Sequence, residues 1–166
     1  MDISPQIATQ IWSSIQHAHS IIIISHRNPD ADSIGSNLAL YELLTKHGKN
    51  VTPVCVDPMP QEVKFLKNIE KFELDFDPNK IDLIICVDAG SGKQTGFLTK
   101  YPRIQTNRHA LINIDHHASN ENYGTINLVL PEAASTTMIV LDVPSLTLSM
   151  AFCELRCMTE KRLLAS

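Results

Sequence analysis

Four isoleucines in a row, Ile21 to Ile24, framed by Ser20 and Ser25, limit what this chain can fold into more than any other segment. An unbroken β-branched run of this length has no polar face to show to water. It suits a strand covered on both sides, which is the usual condition of a parallel sheet. Ahead of it, Ile3, Ile7, Ile11 and Ile15 recur every four residues beside Ala8 and Trp12, the pattern of an amphipathic helix. After it, Asn28-Pro29-Asp30 breaks the chain, and Leu38, Leu40, Tyr41, Leu43 and Leu44 predict a helix over Ile34–His47 that Gly48 ends.

The alternation continues. Strands are expected at Val51–Val56, Ile81–Val87, Ala110–Ile114 and Ile126–Leu130, a short helix at Pro60–Asn68 and another from about Ala133 to Leu141. Strands alternating with helices predict an α/β fold, a mostly parallel Rossmann-like sheet flanked by helices and joined by right-handed crossovers. The domain is expected to span residues 1–143. The tail from Pro144 to Ser166, with Leu146, Leu148, Met150, Phe152 and Leu155, is expected to be a separate amphipathic helix.

Such a sheet gathers its ligands at the carboxyl ends of its strands, and there the sequence places its chemistry. The first strand ends in His26, Asp30 and Asp32, the third in Asp88, the fourth in Asp115-His116-His117. Each feature has an ordinary reading of its own: Asp30 as turn chemistry, Asp88 as the cap of a helix near Ser91, the histidines as surface residues. Their placement at three strand ends favours a metal site. Carboxylates mixed with imidazole suit Mn²⁺ or a similar divalent ion better than thiolate-rich zinc sites do. Two ions about 3.5–4 Å apart can activate water and stabilise a leaving oxygen. Asp30 and Asp32 could serve one ion each, with Asp88 between them.

Charge and cysteine usage narrow the partners. A formal net charge of -4 gives no broad basic face for long duplex DNA, yet leaves room for a small anionic substrate held through a metal. Cys55 and Cys86 lie in apolar runs and read as buried hydrophobes, and Cys153 and Cys157 as incidental thiols. No signal peptide or membrane span is expected, and a reducing cytoplasmic setting fits best.

Together these segments resemble the DHH phosphoesterase superfamily. Ser25-His26-Arg27-Asn28-Pro29-Asp30-Ala31-Asp32-Ser33-Ile34-Gly35-Ser36 is similar to its first motif, Cys86-Val87-Asp88 to the second and Asn113-Ile114-Asp115-His116-His117 to the third. Glu132-Ala133-Ala134-Ser135-Thr136-Thr137 resembles the segment that follows in the bacterial oligoribonuclease and 3′-phosphoadenosine 5′-phosphate phosphatase subgroup. The resemblance implies two Mn²⁺ ions, with Mg²⁺ or Co²⁺ as substitutes. His26 and Asp30 would hold one, Asp32 and His116 the other, and Asp88 would bridge them. It implies that His117 faces the substrate phosphate or supports a metal ligand from behind, and that Asp115 orients a histidine. Ser135 and Thr136 would either contact the ligand or cap a helix.

The implied substrates are short oligoribonucleotides or small nucleotides. Family II inorganic pyrophosphatase is the alternative, because its first motif also reads His-x-Asn-Pro-Asp-x-Asp-Ser. The family's fourth motif, with one more aspartate, has no counterpart after Leu141, where Asp142 is the last aspartate, and no second domain follows. The expectation is therefore a truncated chain with weak activity at best. A non-catalytic remnant or interaction module, associating as a homo-oligomer through an exposed apolar face, is the reading of another class.

Overall fold

The computed structural model describes residues 3–105 and 110–142. Five strands, β1 (Ser20–Ile24), β2 (Asn50–Val54), β3 (Leu83–Val87), β4 (Ala110–Asp115) and β5 (Ile126–Val129), form one sheet in the order β2-β1-β3-β4-β5. Every pairing is parallel. The fold is thus the α/β architecture that the isoleucine run predicts.

Strand alternation divides the core into two layers. Ile21, Ile23, Leu83, Ile85, Ile112 and Ile114 face one side, where they meet Ile11 and Ile15 of α1 (Pro5–His17) and Leu40 and Leu44 of α2 (Ala31–Lys46). Ile22, Ile24, Ile84, Cys86 and Leu111 face the other, against Phe97, Leu98 and Ile104. Ile22, Ile23 and Ile24 are wholly buried. Burying one such side chain stabilises the fold by about 1.5–3 kcal/mol, so β1 anchors both layers and fixes where its carboxyl end points.

Several predicted elements shift. The helix expected from Ile34 begins at Ala31, because the Asp30 carboxylate accepts the N–H groups of Asp32 and Ser33, each at 3.0 Å, and caps it three residues earlier. The helix expected at Pro60–Asn68 is replaced by 3-10 turns at Gln61–Val63 and Ile69–Lys71, since no apolar period extends between the prolines. The β3–β4 connection runs through a 3-10 turn at Gly92–Thr95, a short α3 (Phe97–Lys100) and a 3-10 turn at Pro102–Gln105, none of which the periodicity revealed. Residues 136–142 are helical and are called α4, beginning three positions after the expected Ala133. The predicted tail helix and Cys153 and Cys157 lie outside the described residues.

Cys55 and Cys86 are free and buried as expected. Burial pushes their thiols up to about 11 and about 12, so both stay neutral and neither suits a metal. Among the described residues no helix is long and apolar enough to cross a membrane.

The strand order reverses direction between β1 and β3. The chain leaves β1 for β2 on one flank and returns to β3 on the other, so the loops after β1 and β3 part and leave a crevice at their carboxyl ends.

Candidate metal centre

Asp88 sits in that crevice, directly after β3, and its side chain is 2% exposed. Its backbone adopts φ 57°, the left-handed region a non-glycine residue enters only when the surroundings hold it there. The hold is visible: its N–H donates to the Ile114 carbonyl at 3.0 Å, and its Oδ1 accepts the Thr136 hydroxyl at 2.9 Å. Three histidine nitrogens converge on this carboxylate, His26 Nε2 at 3.7 Å, His116 Nε2 at 3.6 Å and His117 Nδ1 at 3.8 Å. These separations are too long for hydrogen bonds. They are the spacing of donor atoms disposed around a common point.

The tautomers of two rings follow from their other contacts. His26 Nδ1 lies 2.6 Å from the Arg27 carbonyl and His116 Nδ1 lies 3.3 Å from the Ala133 carbonyl. A carbonyl only accepts, so Nδ1 keeps the proton in the neutral form of each ring, and Nε2 is then the nitrogen that turns a lone pair inward. His26 Nε2 is also 3.9 Å from Asp30 Oδ1, and His116 Nε2 is 3.8 Å from Asp32 Oδ2. Two donor groups result, His26 with Asp30 and His116 with Asp32, and Asp88 stands between them.

Asp115 is fully buried and saturated. Its Oδ1 accepts the His116 N–H at 2.8 Å and His117 Nδ1 at 2.7 Å, and its Oδ2 accepts the Asn120 side-chain amide. It therefore orients His117, which is half-exposed at the cleft. The Asp115 carboxylate holds the His117 imidazole above its ordinary range. His26 is raised likewise, first by Asp88 and further by the Arg27 carbonyl, against the opposing effect of burial.

Asp32 has a second engagement that the sequence does not announce. Its Oδ2 accepts the Thr136 N–H at 2.7 Å, and its Oδ1 accepts the Thr137 N–H at 2.9 Å and the Thr137 hydroxyl at 2.6 Å. The carboxylate thus caps α4 from 104 residues away in the chain. Burial alone would raise its pKa. The Thr137 hydroxyl and the two N–H groups outweigh that and hold it below the usual carboxylate value.

Ser135 takes the capping role, its hydroxyl accepting the Met138 N–H at 3.2 Å, whereas Thr136 reaches the site through both its N–H and its hydroxyl. Of the residues the sequence singles out, all but Ser135 meet here. Thr137, Asn120 and Gln94 join them without having been singled out. Asn120 ties Asp115 to Asn113 and to the Ala89 carbonyl, and Gln94 lines a cleft of about 380 Å³ with His26, Arg27, Asp30, Asp88 and His117.

A divalent cation fits this donor set. Oxygen and imidazole ligands lie on both sides of a buried carboxylate whose only hydrogen bond among the described residues is to one hydroxyl.

The sequence profile of the DHH family, N-terminal domain, matches residues 20–161. The bifunctional oligoribonuclease and PAP phosphatase NrnA of Thermus thermophilus is 30% identical over 128 residues, 74% of this chain and 36% of that protein. A probable manganese-dependent inorganic pyrophosphatase of Bacillus cereus is 31% identical over 101 residues, 58% of this chain and 31% of that protein. Among solved structures, an exopolyphosphatase-related protein from Bacteroides fragilis superposes with a TM-score of 0.79 at 26% identity, covering 86% of this chain and 44% of that one. The chain spans less than half the length of each of these relatives.

Proposed function

The chain belongs to the DHH family, and from that premise we propose that it carries the metal-binding half of a Mn²⁺-dependent phosphoesterase acting on short oligoribonucleotides or small nucleotides. The observation that supports this most is the buried Asp88 carboxylate set between His26 and His116, with Asp30 and Asp32 beyond them. His26, Asp30 and Asp88 would hold one ion, and Asp32, His116 and Asp88 the other. Bound there, divalent ions supply charge stabilisation for a phosphate ester and lower the pKa of water.

The remaining work falls to side chains. Asp115 fixes the His117 ring, and the raised proton affinity of that ring lets it present a second N–H towards a phosphate oxygen or a leaving alkoxide. Thr136 and Thr137 hold the Asp88 and Asp32 carboxylates in place, so that little reorganisation is needed when charge develops. The NrnA relatives align over more of this chain than the pyrophosphatases do, 74% against 58%, and this favours the nucleotide substrate. The free, buried thiols accord with a reducing compartment.

The test is mononucleotide release from a diribonucleotide, phosphate release from adenosine 3′,5′-bisphosphate, and hydrolysis of pyrophosphate. Each is run with Mn²⁺ or EDTA and beside Asp88→Ala, with Mn²⁺ binding followed by electron paramagnetic resonance. Nucleotide hydrolysis that needs both Mn²⁺ and Asp88 supports the proposal. Hydrolysis of pyrophosphate alone would transfer it to the pyrophosphatase reading. Mn²⁺ binding without turnover of any substrate would leave a non-catalytic metal-binding domain.

A further inference from the structure

Arg27 is the permanent cation of the cleft, and the chemistry above makes no use of its side chain. It stands one residue after His26, and its backbone N–H donates to the Gln94 carbonyl at 2.8 Å, stitching the loop after β1 to the loop after β3. Its guanidinium lies over Gly96. A Cβ built on that glycine would come within 2.7 Å of Arg27 Nε and 2.9 Å of Val56 Cγ1. Gly96 also has φ +73°, so both the space and the backbone there require glycine. Among the described residues no carboxylate pairs with Arg27, although Asp30 and Asp88 line the same cleft. An arginine stem fixed on a glycine shelf, with its fork unengaged beside a phosphate-handling centre, is arranged for an anion.

Its position says which anion. His117 follows β4, whereas Arg27 follows β1 and packs at Val56, just beyond β2. In the order β2-β1-β3-β4, the Arg27 guanidinium thus packs towards the β2 side of the cleft, and His117 stands at its β4 side.

We propose that Arg27 binds a second phosphate of the substrate, one nucleoside removed from the phosphate placed at Asp88 and His117. A nucleoside 3′,5′-bisphosphate or a dinucleotide is then preferred over a nucleoside monophosphate. This rests on the phosphoesterase reading and adds a specificity residue to it.

Calorimetric titration of the full chain tests it, with Mn²⁺ present (or Ca²⁺ if turnover is detected) and adenosine 3′,5′-bisphosphate and adenosine 5′-monophosphate as the two probes. The bisphosphate is expected to bind about 10- to 100-fold more tightly, the range of a charged hydrogen-bonded contact. Arg27→Gln should bring that ratio near one while leaving Mn²⁺ affinity and monophosphate affinity within about twofold. Arg27→Lys should restore part of the ratio. A wild-type ratio near one, a ratio that survives Arg27→Gln, or equal weakening of both probes in both variants would overturn the proposal. An Arg27-dependent preference without hydrolysis would remove the hydrolase reading and keep this one. Hydrolysis with an Arg27-independent preference would do the reverse.

Discussion

Asp30 and Asp32 have the same chemistry two residues apart, yet the structure assigns them different costs of replacement. Asp32→Asn keeps one acceptor oxygen and puts an amide where the second oxygen meets a helix N–H. Of the three bonds to this carboxylate, from Thr136 N at 2.7 Å, Thr137 N at 2.9 Å and Thr137 Oγ1 at 2.6 Å, at least one becomes donor against donor. A hydrogen bond to a charged group contributes about 1.5–3 kcal/mol, and a negative charge at a helix N-terminus adds about 0.3–1 kcal/mol. The Asp32 side chain is 21% exposed, so a loss of about 2–3 kcal/mol is expected. For a chain of this size that lowers Tm by roughly 4–12 °C. Asp30→Asn, by contrast, replaces an N-cap with one equally good, on a side chain that is 67% exposed, and should cost under about 0.5 kcal/mol. Differential scanning calorimetry in EDTA at pH 7 separates the two. With Mn²⁺ at a hundred times its dissociation constant, wild type should gain about 2.7 kcal/mol, a gain that both variants diminish. Equal Tm values for the two variants in EDTA would refute the assignment of Asp32 as the anchor of α4.

Asn120→Ala removes the partner of a fully buried Asp115 oxygen and should cost about 1–3 kcal/mol in urea unfolding; an unchanged midpoint would deny that Asn120 holds Asp115. Gly124→Ala puts a Cβ within 2.7 Å of the Ile126 carbonyl oxygen and 2.9 Å of that of Leu111, and overpacking should destabilise by about 1–3 kcal/mol, read from the same midpoint. His26 and His117 are both raised above 6.5, so in EDTA their stabilisation is complete below pH 6.5 and is lost as pH rises through their folded values. Unfolding free energy should therefore fall as pH rises above 6.5 in metal-free protein, while Mn²⁺ affinity rises as His26 Nε2 is freed; a metal-free stability that climbed there would contradict the geometry.

The sheet was legible because its signal is dense. Runs such as Ile21–Ile24 and Leu83–Val87 are too uniformly apolar for anything but a strand covered on both faces. The acidic and imidazole residues at the strand ends were legible for a related reason, since a parallel sheet puts every carboxyl end on one edge. What escaped the sequence depends on long-range geometry. The tie from Asp32 to Thr136 and Thr137 joins segments more than a hundred residues apart, and neither segment alone reveals the other. Asn120 looks like one polar residue of a loop, and becomes important only because β3 and β4 are neighbours, which brings the Ala89 carbonyl and Asp115 to its amide. The stretch between Asp57 and Asp82 was misread as helical at Pro60–Asn68 because a few scattered apolar residues imitate a period that never completes two turns.

Four aspartates on one sheet edge should repel, and how each is satisfied shows where a cation is needed. Asp30 accepts two backbone N–H groups at the start of α2, Asp32 two at the start of α4, and Asp115 one N–H, one imidazole and one amide. Backbone amides thus neutralise much of the charge of these three without any ion. Asp88 has a single hydroxyl among the described residues, a side chain only 2% exposed, and imidazoles just beyond hydrogen-bond range. Burying a carboxylate so sparsely paired is costly, and partial protonation of His26 offsets that cost only at low pH. A divalent ion offsets it at any pH where the imidazoles are neutral. On the proposed reading, a metal would be needed most at Asp88, and Asp30 and Asp32, already held by helix N-termini, would complete its coordination.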